Sequence, residues 1–263
     1  MGVAGSAGKL VGQHVAPHVP RLAPDLTHSF VRESLHRAIH GVGPLPPAAR
    51  AADKQLEEQH GHVGRAVGEV IENHVRYAGA QGLLTGLGGV VTATVTIPAN
   101  LAGLALVQAR MVAGIAHLHG YDLDDPRVRN AVLTCMLGRQ VVDERIREHA
   151  LPGPPMAIAT APVHDPDLDR VLTAEVASDL IQRVGGKRLA ITIARRTPIV
   201  GGAFGMGADG WATWRVGRYA AGELDTVVEA INATGYGLTF GIHSRIDERI
   251  EAVTRRIRAG NIY

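Results

Sequence analysis

A single cysteine, Cys135, in a chain of 263 residues excludes an intrachain disulfide and any zinc site built on several thiolates. Aromatic residues are nearly as scarce, at 4%. None is interleaved with clustered basic residues, which removes the stacking platforms of a nucleic-acid binder. Charge points the same way: the net value is only +2 with neutral histidines, not the footprint of a protein that tracks phosphates. The first residues, MGVAGSAGKLVGQHVAPHVPRLAPDL, lack the unbroken apolar core of a secretory signal. Gly2 and Ser6 match a myristoylation pattern, which a start rich in small residues produces by chance.

What the chain has instead is glycine, 32 residues of it, in a sequence that is 46% apolar. That composition predicts a core of Ala, Val, Leu and Ile with backbones packed closely. Residues 1–26 read as a loose start. A first helix is predicted over 27–40, broken by GVGPLPP. The next has the clearest pattern: Val63, Val67, Val70, Ile71, Val75 and Ala78 share one face, and Arg65, Glu69, Glu72 and Arg76 another. Asp125-Pro126 predicts an N-cap with proline at the first helical position, opening a helix over 127–149. LPGPP then breaks the chain, 156–168 read as a linker, and 174–184 read as a helix.

Two stretches stand apart. Residues 77–109 contain no charge, and Arg76 and Arg110 bracket them. About 20 apolar residues suffice to span a bilayer, and Gly82 and Gly86 have the spacing that lets helices pack closely. Thr85, Thr92, Thr94, Thr96, Asn100 and Gln108 dilute this run, and Pro98 is expected to divide it into two segments. The sequence leaves open a buried helical pair or a hairpin that touches membrane lipid. The second stretch, TPIVGGAFGMGADGWATW, is too short in its uncharged part, 197–208, to cross a bilayer alone.

Few motifs carry chemistry. Gly205, Gly207 and Gly210 form Gly-x-Gly-x-x-Gly, which in a dinucleotide fold turns a strand into a helix that holds a pyrophosphate. Residues 189–194 could supply the strand of that motif, but close helix packing is the favoured reading of these glycines. Thirteen histidines include the pairs His60/His62 and His117/His119, but no His-Glu-x-x-His occurs. They read as solvated or helix-capping side chains, with no metal implied. Cys135, in AVLTCMLG, reads as a buried inert thiol. No catalytic residue and no cofactor is expected.

Residues 82–140 resemble the EcsC family through Thr-Gly-x-Gly-Gly, Ile-Pro-Ala-Asn, Gln-x-Arg-Met-Val-Ala-x-Ile-Ala and Gly-Tyr-Asp-Leu. The later Pro-x-Val-Gly-Gly and the Asp ahead of a final helix are similar to that family's second signature. The positions that carry the likeness, over about 27–220, are Gly86, Gly88, Gly89, Pro98, Asn100, Arg110, Tyr121, Asp122, Pro198, Gly201, Gly202 and Asp209. The resemblance implies a bacterial, largely helical protein whose biochemical activity is not established, with a non-enzymatic role expected. Its implied place is the cytoplasm, peripheral to or partly inserted in the inner face of the cell membrane. Lipid or a membrane protein would be its partner, and no residue role is implied.

Residues 221–263 resemble something else, the aldehyde dehydrogenase superfamily. They are closest to the pyrroline-5-carboxylate dehydrogenase half of bifunctional proline-utilisation enzymes. Tyr236-Gly237-Leu238 and Ala259-Gly260-Asn261 carry this likeness, with the helix predicted from Ser244. Leu238, Phe240 and Ile242 alternate as in a strand, and Ile246, Ile250, Val253 and Ile257 form a helical stripe. The nucleophilic cysteine, the general-base glutamate and the nucleotide-binding half of such enzymes have no counterpart here. The resemblance therefore implies a fragment, inactive alone, joined near Arg218-Tyr219. The fold expected is mainly α: glycine-rich apolar helical hairpins packed with amphipathic helices, plus a short C-terminal α-β-α-β fragment.

Overall fold

The computed structural model describes residues 24–87, 93–194, 198–233, 239–240, 254, 257 and 259–262. Helices dominate them: α1 (Pro24–His40), α2 (Ala48–Glu58), α3 (Val63–Leu87), α4 (Ala93–Leu118), α5 (Pro126–Leu137), α6 (Arg139–Arg147), α7 (Pro155–Ala159), α8 (Pro166–Ala194) and α9 (Pro198–Ala233). Two short strands, β1 (Thr239–Phe240) and β2 (Asn261–Ile262), pair in parallel with Thr239 opposite Asn261. The helix expected from Ser244 and most of the N-terminal 1–26 fall outside the described residues, although α1 starts at Pro24.

The stripe on α3 packs as its spacing dictates. Ala66, Val67, Val70, Ile71 and Ala78 are buried, and the exposed face carries a Glu72–Arg76 ion pair at 3.1 Å. Helix α4 behaves differently. Every residue of 108–116 is buried, as in a helix that other helices surround. It packs against α1, α2, α3, α5, α8 and α9, so the core is built around it.

Small residues set the distances between these helices. A Cβ added at Gly217 of α9 would lie 2.9 Å from Ile71 Cγ1 and 3.0 Å from Met111 Sδ. One added at Gly210 would lie 3.7 Å from the Val75 carbonyl oxygen. Higher numbers on α9 thus meet lower numbers on α3, and the two run antiparallel. Gly103 abuts Gln81, and a Cβ at Gly114 would lie 3.6 Å from Val70 Cγ1, so α4 is antiparallel to α3 as well. The C-terminal end of α3, the N-terminal end of α4 and the N-terminal end of α9 share one end of the bundle. The C-terminal end of α8 is tied there by the three-residue step to α9. The described ends of both helix pairs therefore lie together.

Four expectations need correction. Pro98 does not divide two helices; it is the sixth residue of α4, which begins at Ala93, so only about one turn of helix precedes the ring and is disturbed by it. The helix expected over 127–149 opens as foreseen, with Asp125 Oδ1 accepting from the Arg127 N–H at 2.8 Å. It stops at Gly138, whose φ of 79° is one that glycine adopts freely, and α6 starts at Arg139. The linker over 156–168 contains α7 and the first turn of α8. Residues 189–194 are helical, not a strand.

The proposed junction near Arg218-Tyr219 lies inside α9, which continues to Ala233. Leu224 belongs to the core at 4% exposure, and Glu223 lies 3.5 Å from Arg139. Ending the chain after residue 220 should therefore cost about 2 kcal/mol or more through the lost leucine. Ending it after Ala233 should cost much less. Thermal melts of the two shortened chains beside the whole one make the comparison, and equal melting temperatures for both would contradict it.

Candidate functional site

The segment 41–47 folds back over the start of α2, and α2 lies across α3 and α4. Between them is a cleft of about 930 Å³, lined by side chains that include Arg50, Asn73, His74, Tyr77 and Arg110. A cavity of this size suits a small molecule.

Arg110 forms its floor. The side chain comes from the middle of the buried helix α4 and is only 7% exposed. Its Nη1 donates to the carbonyl oxygens of Ala38, at 3.5 Å, and Pro46, tying the end of α1 and the 41–47 turn to the core. Among the described residues no carboxylate pairs with it. Burial holds its pKa below the usual arginine value, partly offset by Tyr77.

His74 stands on α3 beside it and is likewise buried. Its Nδ1–H donates to the Val70 carbonyl oxygen at 2.7 Å, the tautomer being assigned from that acceptor. Burial pushes the imidazole down to about 4, with the nearby Arg110 charge adding to the effect. The ring is thus neutral near pH 7, with Nε2 as an acceptor. Tyr77, 64% exposed, stands edge-on to it at 6.1 Å between ring centroids. Asn73 Nδ2 donates to Gln55 Oε1 at 3.3 Å, linking α3 to α2.

A second cleft, of about 640 Å³, lies where α5 and α6 meet α8 and α9. Trp211 and Trp214 stack on its rim with centroids 5.0 Å apart, and they are 60% and 41% exposed. Arg139 covers the Tyr219 ring at 5.0 Å, and Arg183, Arg215 and Arg218 also line it.

The other residues singled out in the sequence are scattered. Gly205, Gly207 and Gly210 lie within α9, past its first two turns. No strand-to-helix turn exists there to present a phosphate to a helix start. Asp209 is buried in the same helix. Pro198 opens α9, with Gly201 and Gly202 in its first turns; Gly86 lies near the end of α3 and Asn100 within α4. Gly88 and Gly89 lie outside the described residues. Tyr121 is buried after α4, and Asp122 Oδ1 accepts from the Asp124 N–H at 2.9 Å, closing the turn. Among the described residues of that set, Arg110 alone lines the large cleft.

His60 and His62 are exposed in the turn before α3. His117 Nε2 lies 2.7 Å from Asp53, and His119 Nδ1 lies 3.1 Å from Asp225. Among the described residues no three of His, Cys, Asp or Glu converge to hold a metal. Cys135 is fully buried, and burial drives its thiol pKa well up, which suppresses the thiolate. Among the described residues no helix is long and apolar enough to cross a membrane.

The profile of the EcsC protein family matches residues 7–223. A 46-residue stretch, 18% of the chain, is 61% identical to the bifunctional protein PutA of Rhizobium meliloti. The identity is 52% to PutA of Escherichia coli K12 over the same length. This chain covers 4% of the length of those relatives. No solved structure matches it.

Proposed function

The chain belongs to the EcsC protein family, and from that premise we propose that it works without chemistry of its own at the inner face of the cell membrane. The observation that carries this reading is that the described ends of α3 and α4, and of α8 and α9, share one end of the bundle. The sequence approaching that end on α3 and α4, residues 77–109, is uncharged. The sequence of α8 and α9 around it carries Arg183, Lys187, Arg188, Arg195 and Arg196 and no acid until Asp209. Apolar sequence beside a run of cations suits a surface of anionic lipid, where each nearby Lys or Arg contributes about 1 kcal/mol.

Sedimentation with vesicles tests it. The protein should pellet with phosphatidylglycerol vesicles and not with phosphatidylcholine, and salt should release it. Reversing two charges, in Arg195→Glu/Arg196→Glu, should weaken binding by about tenfold or more. A protein that stays in the supernatant with both lipids at low salt would sink this reading.

A second reading attaches to the tail: an incomplete dehydrogenase piece, inactive alone. The PutA identity favours it, and so does the parallel pairing of β1 with β2, because parallel neighbours need a crossover between them. Saturable binding of NAD by the purified chain would support this reading over the first.

A further inference from the structure

We propose that the cleft between α2, α3 and α4 binds a small oxyanion, a carboxylate or phosphate, that also bears a hydroxyl or amine. Arg110 is the anchor for the anion, and His74 accepts the hydrogen bond from the donor. The inference is independent of membrane binding, which involves the other end of the same helices.

The first ground is an uncompensated charge. Buried charges in proteins are normally paired, because desolvating an ion without a partner is costly. Arg110 is buried, it cannot discharge near neutral pH, and its only described partners are the carbonyl oxygens of Ala38 and Pro46 on one nitrogen. A guanidinium has five donors in a planar fork that matches two oxygens of a carboxylate or phosphate. Two carbonyls on Nη1 hold the fork in place and leave the negative charge to be supplied from the cleft it lines.

The second ground is the chemistry beside it. His74 is fixed by Val70 with its acceptor nitrogen uncommitted to that bond. A ligand with acceptor atoms alone would meet a lone pair there, whereas one with a hydroxyl or amine would complete it. The charges around the cleft do not fill the role. Asp53 is engaged by His117 at 2.7 Å, and Lys54 lies 3.6 Å from Glu58. Glu57 and Arg50 stand exposed on α2 at the rim.

Isothermal titration of the full chain with L-malate, succinate and inorganic phosphate, against chloride at matched ionic strength, tests the proposal. Malate or phosphate should saturate a single site. Succinate, which lacks the hydroxyl, should bind about tenfold more weakly than malate, and His74→Phe should abolish that difference. Arg110→Lys keeps the charge but loses the fork, and it should weaken binding about tenfold or more. Arg50→Ala, on the exposed rim, should weaken it only about threefold, which gives a readout even where the buried variant folds poorly.

Absence of saturable binding of all three anions, or equal affinity in wild type and a folded Arg110→Lys, would overturn the proposal. Phosphatidylglycerol vesicles distinguish the source of the anion. Binding of vesicles unaffected by Arg110→Lys identifies a free small molecule as the ligand; a matching loss identifies a lipid headgroup.

Discussion

Gly217→Val is expected to cost about 3 kcal/mol and to lower the melting temperature by roughly 6–12 °C. The reason is where three helices meet. Even a single Cβ at this position would stand 2.9 Å and 3.1 Å from two carbons of Ile71, and 3.0 Å from the Met111 sulfur. Ile71 is β-branched and 4% exposed, so its χ1 has little freedom to yield. Met111 is completely buried in α4 and has other neighbours to displace. Valine adds two methyls beyond the Cβ, so α9 must move away from α3, opening its most extensive interface.

Gly222→Ala and Gly207→Ala supply the contrast. Both lie in α9, and nothing stands within 4 Å of a Cβ added at either. Relieving backbone entropy there should stabilise the protein by about 0.5–1 kcal/mol. Differential scanning calorimetry of the three variants tests the account. A Gly217→Val protein that melts with the wild type would show that α9 does not pack as described.

That contrast also shows what a sequence reader can reach. The stripe of α3 was legible because its spacing repeats every helical turn and its burial follows directly. The cap at Asp125 was legible because an acidic residue before proline has a local mechanism. The break at Gly138 was not, since AVLTCMLGRQVV keeps an apolar pattern through it and one glycine does not by itself stop a helix.

Glycine was abundant enough to announce close packing, but only antiparallel pairing of α3 with α9 distinguishes the indispensable Gly217 from the open Gly222. The site divides in the same way. Arg110 was visible through a family motif, with no role attached to it. His74 had a signal that went unused. It follows Val67, Val70 and Ile71 at helical spacing, so an ionisable ring occupies the buried face of an amphipathic helix. What joins the two residues into one cleft is the fold-back of 41–47 and the placement of α2. That placement is tertiary and leaves no local pattern.

Stability should fall in acid through His74, and the window follows from its surroundings. The imidazole is held down to about 4 from an ordinary value of 6.5 by burial, with the Val70 carbonyl opposing and Arg110 assisting. The unfolded chain therefore takes up a proton at this side chain that the folded one refuses between those two values. The stabilisation due to keeping His74 neutral is complete above pH 6.5 and is lost as pH falls towards 4. Linkage puts the loss from this group at about 2 kcal/mol by pH 5 and about 3 kcal/mol by pH 4.

Two partly buried carboxyls act in the opposite sense. Burial raises the pKa of Asp179 and of Glu223, so protonation disturbs the folded state less at these positions than in the unfolded chain. The total pH profile is therefore not diagnostic, whereas its difference from a variant is. Urea unfolding of wild type and His74→Asn at pH 7.5 and pH 5 isolates the term, because asparagine cannot titrate. The wild type should lose about 2 kcal/mol more than the variant over that interval. Parallel losses in the two proteins would mean that His74 is open to water and its proton, and that the cleft beside Arg110 is wetter than its burial allows.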